Sequence, residues 1–240
     1  MVLWTFLDTY SEIREEGDTV NISDYATAWG HPPTRRAWGV HLAISATCLI
    51  AWIVVAAGSL AAVVVFASPV FSLTCVPFVI YSTYRVFVQA SLLPAAMRMK
   101  RILREYPWNV AEGAPRGLSS HPDVLGRQCG WFEFPNPARP EERLPVVFPS
   151  HVQVGWWHRR MAPRAGRELG AQIDTVWFAG DPRFLCLLAA PTADGSTPRR
   201  LHVLHQQMDS EQGHRSLESW GVTAEDIERG RRVGVHPVRS

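Results

Sequence analysis

The chain has 240 residues, with 24 Lys and Arg, 22 Asp and Glu and a formal net charge of +2, which is typical of an ordinary globular protein. The distribution of charge is not ordinary, because no Asp, Glu, Lys or Arg occurs from Ala37 to Tyr84. The length of this uncharged run is more than twice the roughly 20 apolar residues that are needed to cross a hydrocarbon core. The run therefore excludes a purely soluble globular protein.

Residues 1–36 are predicted to form a cytoplasmic amphipathic helix followed by a loop. Apolar side chains recur there at helical spacing, namely Val2, Leu3, Phe6, Leu7, Tyr10 and Ile13. The opposite face is acidic, whereas a helix lying on anionic lipid would carry Lys and Arg. We therefore expect this helix to dock on protein, with the basic stem at residues 97–106 of the same chain as its partner.

Residues 37–97 are predicted to form a hairpin of two transmembrane helices with its turn near residues 68–69. Pro69 interrupts the apolar run, and a second apolar stretch begins directly after it. The first stretch starts too far into the chain for a signal peptide, lacks a cleavage site and is followed at once by another span. Pro77 and Pro94 are expected to kink the second helix.

The basic residues near the ends of the two spans predict the orientation of the hairpin. They are expected to fix the topology and to contact lipid or phosphate, and they are Arg35, Arg36, Arg98, Lys100, Arg101 and Arg104. The turn between the spans carries no charge, so both termini are predicted to be cytoplasmic. Because Lys100 is the only Lys among the 24 basic residues, the composition indicates a high-GC bacterial genome and an inner (plasma) membrane.

Four residues are predicted to lie at the membrane interface inside the hairpin: Trp52, Tyr81, Tyr84 and Arg85. Folding the chain at residues 68–69 places Arg85 opposite Trp52, at a depth from which the guanidinium can reach the cytoplasmic boundary and stack on aromatic rings. The alternative is a gate or ion-path residue. We favour the interfacial role because neither span carries an acidic residue.

The rest of the chain is predicted to comprise a basic stem and linker (98–127), a small β-rich α+β cytoplasmic domain (128–210) and a short C-terminal helix with a tail (211–240). The strand candidates are 129–134, 146–154, 173–178, 184–190 and 201–207. The Pro-rich segment between the first two strands reads as an extended surface loop. Asp194-Gly195 predicts a hairpin, and Thr223 with Asp226 predicts a helix start. Five strands and a closing helix suggest a partly open barrel or roll.

Motifs for catalysis, metals or cofactors are absent from the sequence, so we predict a non-enzymatic protein without a cofactor or a small-molecule substrate. Cys129, His158 and Asp181 would form a nucleophile, base and orienting residue only if the fold brought them together. His202 and His205 fall on opposite faces of a strand, which disfavours a metal pair. Cys186 reads as a thiol of the hydrophobic core.

The leading hypothesis is an integral membrane protein whose cytoplasmic β-rich domain acts as a binding or scaffold module in a membrane complex. Its expected partners are the lipid bilayer and either another protein or further copies of this chain. The alternative is an accessory membrane component of a DNA-transfer or secretion system. In that case nucleic acid would be contacted by an aromatic and basic cluster, Trp156, Trp157, Arg159 and Arg160.

Overall fold

A computed structural model describes residues 22, 25–66, 69–118, 130–149, 154–206 and 217–235. The amphipathic helix predicted near the N-terminus lies outside the described residues, as does Cys129. The described chain is an α+β arrangement of two long apolar helices and a seven-stranded antiparallel sheet.

Three helices follow a short 3-10 helix at Ala28–Gly30: α1 (Pro32–Phe66), α2 (Pro69–Ala90) and α3 (Leu92–Glu105). The helices α1 and α2 end and begin on either side of the predicted turn. A one-residue break at Ser91 separates α2 from α3. Pro94 causes this break, because it has no N–H to donate to the Ala90 carbonyl and its ring would clash with that carbonyl in a continuous helix. By length and composition, α1 and the segment Cys75–Glu105 could each cross a membrane.

Within α1 and α2, the described side chains that are buried are polar rather than apolar. Four described side chains are fully buried within these two helices, and they are Thr34, Ser45, Ser82 and Gln89. Large apolar side chains point outward instead, for example Val64 with 78% and Phe87 with 70% of the surface exposed. The Ser45 and Ser82 hydroxyls donate to carbonyl oxygens of their own helices, which satisfies them without water.

The sheet has the strand order β1-β5-β6-β7-β4-β3-β2. Its strands are β1 (Asn109–Glu112), β2 (Arg116–Gly117), β3 (Trp131–Asn136), β4 (Arg139–Val147), β5 (Thr175–Asp181), β6 (Leu185–Pro191) and β7 (Pro198–His205). The two edge strands, β1 and β2, are consecutive in the chain and only three residues separate them. The sheet must therefore curl until its two edges meet at residues 113–115.

Two of the predictions for this region need correction. The predicted linker 98–127 contains both edge strands as well as most of α3. The Pro-rich loop is the β3–β4 hairpin, so the second strand starts at Arg139 instead of residue 146. Pro145 of β4 lies opposite Glu133 of β3, and the Glu133 N–H points away from β4 and donates to the Pro115 carbonyl. Glu133 and Pro145 are therefore a pair without mutual hydrogen bonds, and β4 tolerates a proline at this position.

Each face of the sheet covers a separate hydrophobic core. In the first core Phe132, Phe134 and Phe178 pack with Trp157 and Met161 of a short helix, α4 (Gly155–Met161). A second short helix, α5 (Arg167–Ala171), buries none of its side chains, and the sequence predicted neither helix. The second core lies between the opposite face of the sheet and α3. Cys186 is fully buried in the first core, as predicted.

A C-terminal helix, α6 (Ala224–Arg232), begins at the predicted position. The Thr223 hydroxyl accepts from the Asp226 N–H while the Asp226 carboxylate accepts from the Thr223 N–H, a complete capping box. The predicted hairpin at Asp194-Gly195 is also confirmed, because it joins β6 to β7 with Gly195 at φ +70°.

A buried ionic network attaches α6 to the sheet. The Arg183 guanidinium forms ion pairs with Asp181, at 2.7 Å, and with Asp226, at 3.0 Å. Burial lowers the pKa of Arg183, but its hydrogen bonds and charge interactions with the two carboxylates outweigh this effect and raise the pKa above the ordinary value. At the other end of α6, Arg232 pairs with Glu105 of α3 at 2.6 Å.

Candidate functional site

The base of the helical hairpin is joined to the sheet by a buried polar and aromatic contact. Thr34, in the first turn of α1, accepts a hydrogen bond from Trp108 Nε1 at 2.9 Å, and its hydroxyl lies 3.0 Å from His31 Nδ1. The Trp108 and His31 rings pack against Trp177 of β5, with centroid distances of 5.9 and 6.1 Å. Burial lowers the pKa of His31, which favours the neutral imidazole at this contact.

Two further hydrogen bonds hold α3, one from α1 and one from the 3-10 helix that precedes it. Trp38 Nε1 donates to the Ala96 carbonyl at 2.8 Å, and the Ala28 N–H donates to the Tyr106 carbonyl at 2.8 Å. Ala96 and Tyr106 lie near the two ends of α3, so the helix is held along most of its length. The sheet domain is therefore docked directly on the hairpin rather than attached only through the stem and linker that the sequence predicted.

Cations lie over tryptophan rings at this base. The Lys100 ammonium is 5.3 Å from the centroid of Trp29 and 4.8 Å from that of Trp38, and the Arg104 guanidinium is 5.4 Å from Trp29. The two rings meet edge to face at 5.4 Å. We name these four residues, Trp29, Trp38, Lys100 and Arg104, the base cluster.

The structure brings the six predicted basic residues to the same end of the hairpin. The contact between Trp38 and Ala96 places α1 and α3 in register, and all six cations lie within about 12 Å of that level along the helices, at ~1.5 Å per residue. Within the described ranges, none of the six forms an ion pair with Asp or Glu. The arginines that do form ion pairs in the described ranges belong to the sheet domain and α6, and they are Arg116, Arg183, Arg229, Arg231 and Arg232.

The predicted contact between Arg85 and Trp52 is present. The guanidinium carbon lies 5.2 Å from the centroid of the Trp52 ring, which packs edge to face on Tyr81 at 5.6 Å. Tyr84 points outward and is half exposed. The level of this group is about 21 Å from Trp38 along α1, so it forms a site separate from the base cluster.

The predicted nucleic-acid contacts do not form one surface. Trp157 is only 2% exposed and packs between Phe132 and Phe148, so its ring cannot stack on a base. Arg160 lies 3.7 Å from the centroid of the Trp156 ring and donates to the Gln172 side chain, so it is held within the domain. Trp156 is half-buried, and Arg159 is exposed.

The residues considered for catalysis or metal binding are also separated. Asp181 is bound to Arg183, so it does not orient His158. The His158 ring packs against Phe148, and burial lowers its pKa. The His202 ring also packs against Phe148, with the ring centroids 5.2 Å apart, and alternation along β7 places His205 on the opposite face, as predicted. Burial raises the pKa of the Cys186 thiol, which keeps it protonated and inert.

No protein-family model matches this chain, and neither a curated protein nor a solved structure matches it. Its function is therefore inferred from its own residues and contacts.

The sequence did not identify five residues that form these contacts: Trp29, Trp38, His31, Thr34 and Trp108. A signal for the first two was present, because Trp29 and Trp38 flank the start of the charge-free run, and tryptophan is enriched at membrane interfaces. The contacts of Thr34 with Trp108 and of Trp38 with Ala96 join residues 74 and 58 positions apart, which no local pattern reveals.

Proposed function

We propose that this chain is an integral membrane protein in which α1 and α2 cross the bilayer as a hairpin. The observation that carries this proposal is the reversed burial of the two helices: their fully buried described side chains are polar, and their large apolar side chains are exposed. A helix pair in water would show the opposite distribution, because exposing so much apolar surface costs about 25 cal/mol per Å². In a bilayer, the same exposed surface faces lipid.

The proposed orientation places both termini in the cytoplasm of a bacterial inner membrane. The charge-free part of α1, from Ala37 to Phe66, spans about 45 Å, which matches a bilayer of about 40–45 Å including its headgroup regions. The six cations then lie at the cytoplasmic surface, in accord with the positive-inside rule. With these dimensions Arg85 and Trp52, about 21 Å from the level of Trp38, lie near the middle of the bilayer rather than at its inner interface, and the guanidinium stacks there on the Trp52 ring.

The sheet domain is proposed to be a binding or scaffold module held at the membrane surface. Its direct docking on the hairpin base supports this role, because a fixed domain presents one surface at a constant height and orientation. The meeting of its edge strands at residues 113–115 supports a small barrel or roll as the finer description of the domain. The partner is proposed to be another membrane-complex protein or a further copy of the chain.

Labelling of introduced cysteines tests the membrane hairpin and its orientation. In a cysteine-free background, Ser68→Cys should react with a membrane-impermeant maleimide in intact cells, whereas Ser240→Cys should react only after lysis. The chain should also stay in the membrane fraction after an alkaline carbonate wash. Release by carbonate, or labelling of both positions from the same side, would reject the proposal.

Purification from native membranes tests the scaffold role. The full chain should recover a stoichiometric partner or run as an oligomer in mild detergent. A chain that ends after residue 106 keeps the hairpin but lacks the sheet domain, so it is the matched control and should lose the heterologous partner. A monomeric full-length species without any partner above background would contradict a scaffold function.

We also propose a second function, in which the chain is an accessory of DNA transfer or secretion and contacts nucleic acid. Its support is the half-buried Trp156 ring with the guanidinium groups of Arg160 and Arg200 at 3.7 and 5.6 Å. A gel-shift assay with the solubilised chain should show binding that weakens steeply with salt and with Arg159→Gln, but not with Arg231→Gln. No shift at low salt would end this proposal.

A further inference from the structure

We infer that the base cluster is a binding site for the headgroup of a net-anionic phospholipid. This inference rests on the proposed function, since it requires α1 and α2 to lie in a bilayer. It goes further by assigning four residues, Trp29, Trp38, Lys100 and Arg104, to one lipid class, which takes the place of the acidic N-terminal helix as the expected partner of Lys100 and Arg104. They come from three separate segments, the 3-10 helix, α1 and α3, which the fold brings together.

The cations of the base cluster are arranged to bind one phosphate together. Lys100 and Arg104 are four residues apart on α3, so they lie on the same face, roughly 6 Å apart at Cβ. Both are held over tryptophan rings at 4.8–5.4 Å, which orders two otherwise flexible side chains. A phosphodiester between them can accept from both groups, with less loss of side-chain entropy than at a mobile site.

The charge around the cluster favours an anion over a zwitterion. Arg35 lies on the same face of α1 as Trp38, three residues away, and no described Asp or Glu pairs with Arg35, Lys100 or Arg104. The nearby Glu105 is bound to Arg232 and so does not neutralise them. The choline of a zwitterionic lipid would meet this positive field, whereas the glycerol of phosphatidylglycerol carries no charge.

The two tryptophans favour a lipid over free phosphate as the ligand of the base cluster. Trp29 and Trp38 are half-buried and lie where the apolar surface of α1 begins, the position at which indole rings contact the glycerol and upper acyl region of a bilayer. A free phosphate would use the two cations but gain nothing from the adjoining apolar surface. The combination of ordered cations, indole rings and an exposed apolar helix fits a headgroup with its acyl chains attached.

The test uses the full chain in a neutral detergent, with the thermal unfolding midpoint measured during titration with dioleoyl phosphatidylglycerol, dioleoyl phosphatidylcholine or inorganic phosphate. Only phosphatidylglycerol should raise the midpoint. In Lys100→Gln/Arg104→Gln, the apparent affinity for phosphatidylglycerol should fall about thirtyfold. Each cation near a membrane surface contributes about 1 kcal/mol to binding, and the variant loses two cations. Arg164→Gln/Arg167→Gln removes the same charge from exposed positions on the sheet domain and should bind as the wild type does.

Several outcomes would overturn the inference: equal shifts with both lipids, an unchanged affinity in the Lys100/Arg104 variant, or a shift with inorganic phosphate alone. The exchange Lys100→Arg/Arg104→Lys preserves both charges and should keep the preference for phosphatidylglycerol, so a folding defect in the Gln variant does not decide the result. Carbonate extraction of the same variants separates the two proposals. Retained insertion with lost lipid preference supports the headgroup site, whereas extraction of the wild type rejects the membrane hairpin itself.

Discussion

Trp108 Nε1 donates a hydrogen bond to the Thr34 hydroxyl across 74 positions of the chain, and both groups are buried. This bond joins the first turn of α1 to the residue that precedes β1. It couples the stability of the sheet domain to the placement of the hairpin, so a change in either partner should be measurable in the whole chain.

Thr34→Val should lower the free energy of unfolding by about 1–3 kcal/mol, because it leaves the Trp108 N–H buried without an acceptor. Thr34→Ser retains the hydroxyl and should cost less. Denaturant melting of the detergent-solubilised chain, followed by near-ultraviolet circular dichroism of the tryptophans, measures both. Equal stability of the Val and Ser variants would show that the hydrogen bond contributes nothing.

Trp156 and Trp157 are adjacent but should respond very differently to truncation. Trp157→Ala removes a fully buried ring from the first core and should cost about 3–5 kcal/mol. Trp156→Ala removes a half-buried ring and should cost clearly less. Thermal unfolding of the two variants makes the comparison, and a smaller loss for Trp157→Ala would contradict the burial that removes it from the predicted nucleic-acid contacts.

Arg183→Met should destabilise the chain strongly, by about 3–5 kcal/mol, because it leaves Asp181 buried without its cation. Arg231→Met is the matched control, since Arg231 pairs with Glu228 at 3.3 Å but both side chains are 58% exposed. Such an exposed pair contributes about 0–1 kcal/mol. The two variants are compared by chemical denaturation at neutral pH, and similar losses would refute the role of the buried network.

Asp226 should make the stability of the chain depend on pH in acid. Burial raises the pKa of its carboxyl, but hydrogen bonds from Thr223 and the nearby Arg183 outweigh this and hold it below the ordinary value of 3.8. The unfolded chain therefore takes up this proton first as the pH falls. The stabilisation is complete above about pH 5 and is lost as the pH falls through the folded-state pKa.

Asp226→Asn should remove this part of the acid dependence while lowering stability at pH 7. Unfolding midpoints between pH 3 and pH 7 measure the effect, and Glu225→Gln, at an exposed neighbouring position, is the control. The difference between wild type and Asp226→Asn should shrink toward low pH. A difference that stays constant over the whole range would show that Asp226 does not titrate as described.

Arg85→Gln should leave membrane insertion and assembly nearly intact. The substitution removes a cation–π contact with Trp52 worth about 0.5–2 kcal/mol but creates no buried charge without a partner. The fraction of chain resistant to carbonate and the size of the solubilised species are the measurements. Loss of a membrane phenotype in a variant that still inserts would favour the gate or ion-path role instead.

Local signals in the sequence predicted the elements that depend on neighbouring residues. Pro69 marked the break between the two apolar helices, and Thr223 with Asp226 marked the start of α6. Folding the run at residues 68–69 was enough to place Arg85 beside Trp52, because a helical hairpin has a fixed rise per residue.

Other elements depend on distant partners, and the sequence prediction failed there. The prolines of the β3–β4 hairpin favoured a loop, and only the pairing of Glu133 with Pro115 explains why a strand accepts Pro145. The edge strand β1 pairs with β5, far along the chain. For α4 a usable signal existed, since Val154, Trp157 and Met161 recur at helical spacing and are all buried. The basic residues beside them drew attention to nucleic acid instead.

The position of β1 at the edge of the sheet sets the order in which the domain can assemble during synthesis. Asn109 leaves the ribosome directly after α3, but its partner Phe178 follows only about 70 residues later. Pairings of such long sequence separation form slowly. The first strand after the helical hairpin must therefore wait for its partner until β5 has been made, and a chain truncated before residue 175 would keep this strand unpaired and open to proteolysis.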